Sequence, residues 1–203
     1  MGSSVPKQYL KIGDSTILEH TIAKFQEWNA EAEIIVVAAA NWQAKLKDLL
    51  GQNSMIKTAV GGETRFQSVK NGLKKVAGKF ILVHDAVRPM VSINTIQNTV
   101  DLAHVTSAAV PVLDVKFSLR RITFDESEAV DRSLYREVQT PQVFKNTVLQ
   151  LAYEQPYQAG FTDDATVVEA AGHDIALTQG NEENIKITTP FDLKLVEFLL
   201  HQD

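Results

Sequence analysis

The sequence contains no cysteine among its 203 residues. This absence excludes disulfide bonds, thiolate catalysis and cysteine-ligated zinc, and it is typical of proteins in a reducing cytoplasm. The chain also lacks an apolar run of the roughly 18 residues that a membrane span needs, and it shows no basic-then-apolar leader. We therefore expect a cytoplasmic protein with no membrane partner.

Basic residues are fewer than acidic ones. Twenty Lys and Arg stand against 25 Asp and Glu, which gives a formal net charge of −5. A chain with this balance has no bulk attraction for nucleic acid, so we expect no such partner. An anionic ligand would have to be met by a local cluster of basic side chains.

Several familiar motifs are missing as well. The sequence has no GxxxxGK[ST] loop, no GxGxxG loop and no nucleophile elbow, and its five histidines show no metal-binding spacing. What remains is a regular alternation of apolar, β-branched runs with amphipathic segments. The apolar runs predict strands at 32–40, 54–60, 79–86 and 108–115, and the amphipathic segments predict helices at 15–28, 41–51, 64–78 and 93–106.

This order predicts an α/β fold with a Rossmann-like, mostly parallel sheet and helices on both faces. Residues 116–131 break the rhythm with an alternating pattern and an acidic turn, which indicates a protruding β-arm. A helix at 146–154, a helix beginning within 162–172, a strand at 174–180 and a last helix follow. Predicted N-caps are Asp14 or Ser15 for the first helix, Thr162 for the helix within 162–172, and Thr189, followed by Pro190, for the last.

Candidate site residues lie where strands end, because ligands of doubly wound sheets bind outside the carboxyl ends of the strands. The "VGGETRFQSV" segment at 60–69 is either a ligand-binding glycine loop or a plain turn in which Glu63 or Thr64 caps a helix. In "HDAVRP", Asp85 could orient a hydroxyl or face magnesium and Arg88 could clamp a phosphate. The alternative is a salt-bridged loop before Pro89.

Basic residues further along the chain are weaker candidates. Arg132 and Arg136 are of a type that is common on solvated surfaces. Lys186 lies between Ile185 and Ile187 in a β-like segment, so its side chain is expected on the opposite face from both. From the residues alone, we expect an α/β enzyme whose ligand is anionic and phosphorylated.

Six segments in order resemble the 2-C-methyl-D-erythritol 4-phosphate cytidylyltransferase family. They are "MGSSVPKQYL…ILEHT", "GGETRFQSV", "HDAVRP", "VDR…QTPQVF", "FTDDATVVE" and "NIKITTPFDL". The resemblance spans nearly the whole chain and implies one nucleotidyltransferase domain over 1–203, with its β-arm at about 116–131. It also implies transfer of CMP from CTP to 2-C-methyl-D-erythritol 4-phosphate with release of pyrophosphate, in non-mevalonate isoprenoid precursor synthesis. Mg²⁺ as cofactor and a homodimer joined by the β-arm belong to the same expectation.

The resemblance also implies roles for individual residues. Lys7 looks like the family lysine that stabilises charge on the α-phosphate, and Arg132 looks like a catalytic residue supplied by the partner subunit's arm. Lys186, also expected to be catalytic, is similar to the family lysine that positions the acceptor. The nucleotide-binding positions are Gly62, Glu63, Ser68, Asp85 and Ala86; the positions for the polyol phosphate are Asp85, Arg88, Arg132, Thr140 and Lys186.

Two departures from the family pattern keep alternatives open. Val115 follows Asp114 where the family commonly has threonine, and Ser118 is a candidate substitute. A first strand and a glycine-rich loop are expected before Met1, so we hypothesise that the chain starts at an internal methionine, leaves sheet edges unpaired and binds CTP weakly. The alternatives are a ribitol 5-phosphate cytidylyltransferase and a non-catalytic dimeric relative.

Overall fold

A computed structural model describes residues 5–51 and 54–201, so the "MGSS" of the first motif lies outside the described residues. The strands are β1 (Lys11–Ile12), β2 (Ser15–Thr16), β3 (Ile34–Ala38), β4 (Ile56–Val60), β5 (Phe80–Val83), β6 (Ala108–Asp114), β7 (Leu119–Thr123), β8 (Glu126–Val130), β9 (Arg136–Val138), β10 (Gln142–Lys145) and β11 (Ala176–Gln179). The helices are α1 (Ile17–Trp28), α2 (Gln43–Leu50), α3 (Arg65–Leu73), α4 (Ile93–Thr106), α5 (Asn146–Ala152), α6 (Asp164–Ala170) and α7 (Pro190–Leu200).

The central sheet has the order β11-β6-β10-β5, and β9 pairs with β6 beside this path. Strands β5, β6 and β11 point the same way, because β10 lies antiparallel between β5 and β6 while β11 is parallel to β6. A separate parallel pair is formed by β3 and β4. The predicted α/β fold with a mostly parallel sheet is therefore confirmed, with β9 and β10 as reversed strands that the sequence pattern does not indicate.

Helices cover both faces of this sheet. Val143 and Phe144 are neighbours on β10 and point to opposite faces, and both are fully buried. Phe144 packs with residues of α3, α5 and α6, whereas Val143 packs with Val100 and Ala103 of α4. The two apolar clusters form the layers that a doubly wound sheet requires, and they confirm the predicted arrangement.

A slot lies between strand β3 of the β3–β4 pair and strand β5 of the central sheet. In the described ranges β3 pairs only with β4 and β5 pairs only with β10, so each has one edge without a strand partner. Residues 34–37 and 80–83 line a common cavity of about 640 Å³, together with apolar side chains of α1 and α3. Sheet edges inside a protein leave backbone N–H and C=O groups without hydrogen bonds, which is costly. These are unpaired edges of the kind expected from the sequence.

The segment at 116–131 forms a hairpin as predicted. Strands β7 and β8 pair with each other in an antiparallel, two-stranded sheet of their own, with Phe124 and Asp125 at the turn. Its residues are largely exposed. In the part of the chain that the structure describes, no helix has both the length and the apolar character needed to cross a bilayer.

Two predicted N-caps are wrong by one or two residues. Thr16, not Asp14 or Ser15, caps α1: its side chain accepts from the Glu19 N–H, and the Glu19 carboxylate accepts from the Thr16 N–H in return. Asp163 rather than Thr162 caps α6. Its carboxylate accepts from Thr166 N–H and also from the Gln142 amide on β10, a tertiary contact that the local sequence does not contain.

The other local predictions have mixed outcomes. Thr189 caps α7 and Pro190 begins it, as predicted. Helix α3 ends at Leu73, although the amphipathic pattern continues to residue 78. No strand is assigned to residues 181–189, so the β-like segment around Lys186 is an irregular one. Ile187 in this segment is nevertheless fully buried and Lys186 exposed, as the alternation predicts.

Candidate active site

Three charged side chains from distant parts of the chain meet just beyond the carboxyl end of β5. Oδ2 of Asp85 lies 3.1 Å from Nε of Arg88 and 3.1 Å from Nζ of Lys186. Arg88 also donates from a terminal nitrogen to the carbonyl oxygen of Asn184, at 2.7 Å. The loop after β5 is thereby attached to the segment that precedes α7, and Asp85 acts as the anchor for both cations.

The charge of this cluster suits an anionic ligand. Burial opposes ionisation of Asp85, but Lys186 and Arg88 outweigh it and hold the pKa of Asp85 below its ordinary value. One carboxylate thus faces two cations, which leaves a net positive charge. A phosphate at this place would receive charge-assisted hydrogen bonds from donors that Asp85 already orients.

A second link fastens the same loop to the connection between β9 and β10. His84 Nε2 lies 3.0 Å from the carbonyl oxygen of Arg88, and its Nδ1 lies 2.9 Å from Oγ1 of Thr140. Because a carbonyl only accepts, Nε2 carries the proton and Nδ1 accepts from the Thr140 hydroxyl. The Thr140 oxygen in turn accepts from the Asp85 N–H at 3.1 Å. Thr140 is therefore brought beside the cluster, and its role in binding the acceptor stays a prediction.

The glycine loop between β4 and α3 packs tightly on the first turn of its helix. Gly62 N–H donates to Oγ of Ser68 at 3.1 Å, and Gln67 Oε1 accepts from the Glu63 N–H at 2.8 Å. A Cβ on Gly62 would lie only 2.4 Å from Cβ of Gln67, so a glycine is required. Thr64 caps α3, as the interpretation of this segment as a turn before a capped helix predicts.

Helix α3, which follows this loop, and the charged cluster each contribute residues to the wall of one cavity. Ser68, Asp85 and Ala86 line the slot between β3 and β5. Arg65, at the start of α3, lines it too. Three of the five predicted nucleotide-binding residues therefore share a cavity wall, with Gly62 bound to one of them.

Lys7 lies in a 3-10 turn, Lys7–Tyr9, close to this end of the sheet. Tyr9 stacks on Trp42 with ring centroids 4.6 Å apart, and it belongs to an apolar cluster that also includes Ala38 and Ala86. The turn is thus packed against the carboxyl ends of β3 and β5. No ion pair of Lys7 occurs within the described residues, which leaves its ammonium available to a ligand.

Arg132 does not join the charged cluster of its own chain. It lies at the base of the hairpin and donates to the carbonyl oxygen of Lys116, whose ammonium pairs with Glu182. Among the described residues it has no contact with Asp85 or Lys186. Asp114, before the departure at Val115, pairs with Arg136 at 3.2 Å.

Sequence reasoning missed the buried amides behind the site. Asn184 is fully buried and donates to the Thr140 carbonyl oxygen at 2.8 Å, and Gln139 donates to that of Asn181 at 2.9 Å. His84 is likewise a site residue that the sequence did not predict. The available signal was their position in the chain: Gln139 and His84 directly precede Thr140 and Asp85, and Asn184 lies two residues before Lys186.

The described residues do not form a protein metal site. No group of three or more His, Cys, Asp or Glu side chains is arranged to hold a metal ion in these ranges. The one carboxylate at the centre of the cluster, Asp85, is already paired with two cations. A divalent ion would therefore need oxygen ligands from elsewhere.

Comparison with known proteins identifies the family. The family model described as 2-C-methyl-D-erythritol 4-phosphate cytidylyltransferase matches residues 1–202. The chain belongs to this family. Proteins of that name from Phocaeicola vulgatus and Bacteroides thetaiotaomicron are each 47% identical over 204 residues, covering 98% of this chain and 93% of theirs.

Solved structures of cytidylyltransferases agree with this assignment. A crystal structure of 2-C-methyl-D-erythritol 4-phosphate cytidylyltransferase from Thermus thermophilus is 33% identical, with a TM-score of 0.83 and coverage of 97% of this chain and 94% of that one. A 4-diphosphocytidyl-2C-methyl-D-erythritol synthase from Anaerococcus prevotii has a TM-score of 0.86 at 26% identity, with coverage of 98% and 92%. The resemblance stated from the six segments is confirmed, and the chain is a cytidylyltransferase by family.

Proposed function

We propose that the chain transfers the cytidylyl group of CTP to 2-C-methyl-D-erythritol 4-phosphate, in the non-mevalonate route to isoprenoid precursors. The observation that carries this proposal is the convergence of Arg88 and Lys186 on Asp85 beside the glycine loop. A net positive cluster of side chains suits a phosphorylated substrate. The family match supports the identity of the acceptor.

The reaction needs positioning and charge stabilisation more than proton transfer. A phosphate oxygen of the acceptor attacks the α-phosphorus of CTP; the new P–O bond forms as the bond to the β-phosphate oxygen breaks, and pyrophosphate leaves with the electron pair. The attacking oxygen is already anionic, so no general base is required. Arg88 and Lys186 hold the acceptor, and Lys7 stabilises charge at the α-phosphate.

Mg²⁺ is proposed as a companion of the nucleotide. Magnesium keeps several waters and is commonly bound through substrate phosphates with one or two carboxylates. Since the described residues offer no metal cluster of their own, the triphosphate of CTP would supply most of the ligands. Omitting the divalent cation should abolish turnover, while unchanged turnover in the presence of a chelator would contradict this part of the proposal.

A homodimer joined by the hairpin is also part of the proposal. Exposed apolar side chains concentrate in and around the hairpin: Phe117, Ile122, Phe124, Leu134, Tyr135 and Val138. A patch of this kind favours burial against another surface. The position of Arg132 at the hairpin base, away from the cluster of its own chain, supports its delivery to the partner's site.

A cytoplasmic location completes the proposal. It is supported by the absence of cysteine and by the use of CTP, a nucleoside triphosphate, as a substrate of the proposed reaction. Fractionation of native cells tests it: recovery of the protein in the cytosolic fraction is expected, and recovery with washed membranes would overturn it.

The acceptor is tested by pyrophosphate release with CTP and one polyol phosphate at a time. We expect release with 2-C-methyl-D-erythritol 4-phosphate and a product of the matching mass. Release with ribitol 5-phosphate alone would establish the first alternative, for which the missing threonine at Val115 is the specific observation. No release and no heat of CTP binding in titration calorimetry would favour a non-catalytic dimeric relative.

A further inference from the structure

His84 stands between two loops that both carry site residues. Its ring is held edge-on by Phe25, with centroids 4.9 Å apart and planes at 64°. The charged groups that face the ring are Asp85 and Arg88, and Lys186 stands beyond Asp85. The ring does not point at the charged cluster as a ligand group would; both of its nitrogens are engaged by protein groups.

The hydrogen bonds around His84 run in one direction. Asp85 N–H donates to the Thr140 oxygen, the Thr140 hydroxyl donates to Nδ1, and Nε2–H donates to the Arg88 carbonyl oxygen. Each group thus has a single role, set by the fact that the last acceptor is a carbonyl. The sequence of bonds begins and ends in the loop from Asp85 to Arg88, and it passes through Thr140 on another element.

We propose that His84 is a positioning residue of this site: by accepting from the Thr140 hydroxyl and donating to the Arg88 carbonyl, it holds the Asp85–Arg88 loop against the connection between β9 and β10. Arg88 and Asp85 then present their side chains to Lys186 from a fixed backbone. The inference rests on the proposed function only for the identity of the ligand that this cluster receives.

The expected consequence is a greater loss of acceptor binding than of nucleotide binding. Arg88 of this loop and its neighbour Lys186 are proposed to contact the acceptor, whereas the glycine loop has its own bonds through Ser68 and Gln67. Because Asp85 and Ala86 of the same loop are also predicted to bind the nucleotide, removal of the Thr140 contact should raise the KM for the polyol phosphate several-fold more than the KM for CTP. A purely structural role would change both constants equally or lower the amount of folded enzyme.

Two substitutions at His84 separate its two contacts. His84→Asn ends its amide near the position of Nδ1 and can accept from Thr140; His84→Gln ends near Nε2 and can donate to the Arg88 carbonyl. With one uncharged hydrogen bond at stake, His84→Gln should raise the KM for the polyol phosphate about five- to tenfold, and His84→Asn by less than about threefold. Thr140→Val should match His84→Gln, and Thr140→Ser, which keeps the hydroxyl, should raise this KM less than Thr140→Val does.

The decisive comparison is the double variant His84→Gln/Thr140→Val. If His84 acts through Thr140, the double variant is no worse than either single variant, and multiplied effects would overturn the proposal. Nitrogen NMR of the histidine ring gives a readout that does not depend on turnover: wild-type His84 should be protonated at Nε2, and Thr140→Val should move its Nδ1 resonance alone. A wild-type chain that shows this resonance pattern but no activity would refute the proposed function and leave the positioning link intact; an Nδ1-protonated ring would refute the link.

Discussion

Nζ of Lys186 lies 3.1 Å from the same carboxylate oxygen of Asp85 that Arg88 contacts at 3.1 Å. The three residues come from the end of β5 and from the irregular segment before α7. One oxygen therefore orients both cations of the candidate acceptor site. Loss of its charge should disturb the two cations together.

Asp85→Asn should lower kcat/KM for the polyol phosphate about 10- to 100-fold. The substitution removes the charge that orients Arg88 and Lys186, and hydrogen bonds to charged groups contribute about 1.5–3 kcal/mol each before screening at the exposed lysine is allowed for. Pyrophosphate-release kinetics measure the effect. Asp174→Asn, an exposed carboxylate between α6 and β11, is the matched control and should be neutral. Equal activity of the two variants would contradict the anchor role.

Lys186→Ala should chiefly depress turnover with the polyol phosphate. The variant should keep the fold, because the Lys186 side chain is half exposed, at 46%. Lys194→Ala, an exposed lysine of α7, is the control. Steady-state kinetics with varied acceptor decide the matter, and unchanged kinetics would remove Lys186 from the site.

The free energy of unfolding should fall as the solution is acidified, and protonation of His84 should account for part of this fall. Burial lowers the pKa of His84 below 6.5, so the unfolded chain binds this proton first and the free energy of unfolding rises with pH through that region. Urea unfolding gives the free energy of unfolding at about pH 7.5 and about pH 5.5, which lie on either side of the ordinary histidine pKa. This free energy should change less between the two pH values for His84→Gln than for wild type. His173→Gln is the control; an unaltered slope in His84→Gln would contradict the assignment.

A second acidic transition should belong to Asp85. Its pKa is lowered from 3.8, so its pairing stabilises the fold above that pH and is lost as the pH falls through the lower, folded-state value. The difference in unfolding free energy between wild type and Asp85→Asn should therefore shrink below about pH 4. A difference that stays constant down to acid unfolding would show that the carboxylate is not stabilised by its partners.

Asp164→Ala should destabilise the protein by about 3–5 kcal/mol, because it leaves a buried network without its charge. The Asp164 carboxylate is fully buried, pairs with Arg65 at the start of α3 and accepts from the Tyr153 hydroxyl at 2.6 Å. Burial and Asp164 raise the pKa of Tyr153, so the phenol stays protonated. Tyr153→Phe should cost about 1–2 kcal/mol. Glu169→Gln on the exposed side of α6 is the control, and chemical denaturation is the measurement.

Ile122→Glu in β7 should weaken self-association. Ile122 is 69% exposed within the hairpin, next to an arginine–glutamate pair, Arg121 with Glu128. A charge in an apolar contact would have to be desolvated on dimerisation. Sedimentation velocity should show a dimer for wild type and a shift towards monomer for the variant. Val105→Glu, at another exposed position on α4, is the control; a wild type that is monomeric at all concentrations would overturn the homodimer.

Local chemistry explains why much of the fold could be predicted. Helix α4 and strand β6 lie where their patterns place them, and Thr189 with Pro190 begins α7, since these features depend on neighbours in the chain. The cap of α6 could not be predicted in the same way. Asp163 is chosen because Gln142 of β10 also reaches it, and that contact exists only after the sheet has formed.

For the site, the amino-acid sequence alone establishes which chemistries are excluded and which residue types are available. The six segments in order also establish the family, which the comparisons confirm. It takes the folded chain to establish that Asp85 anchors both Arg88 and Lys186, that Thr140 is linked to this loop through His84, and that Arg132 stands apart. The sequence cannot reveal these contacts because hydrogen bonds and ion pairs join groups about 3 Å apart in space, whatever their distance along the chain.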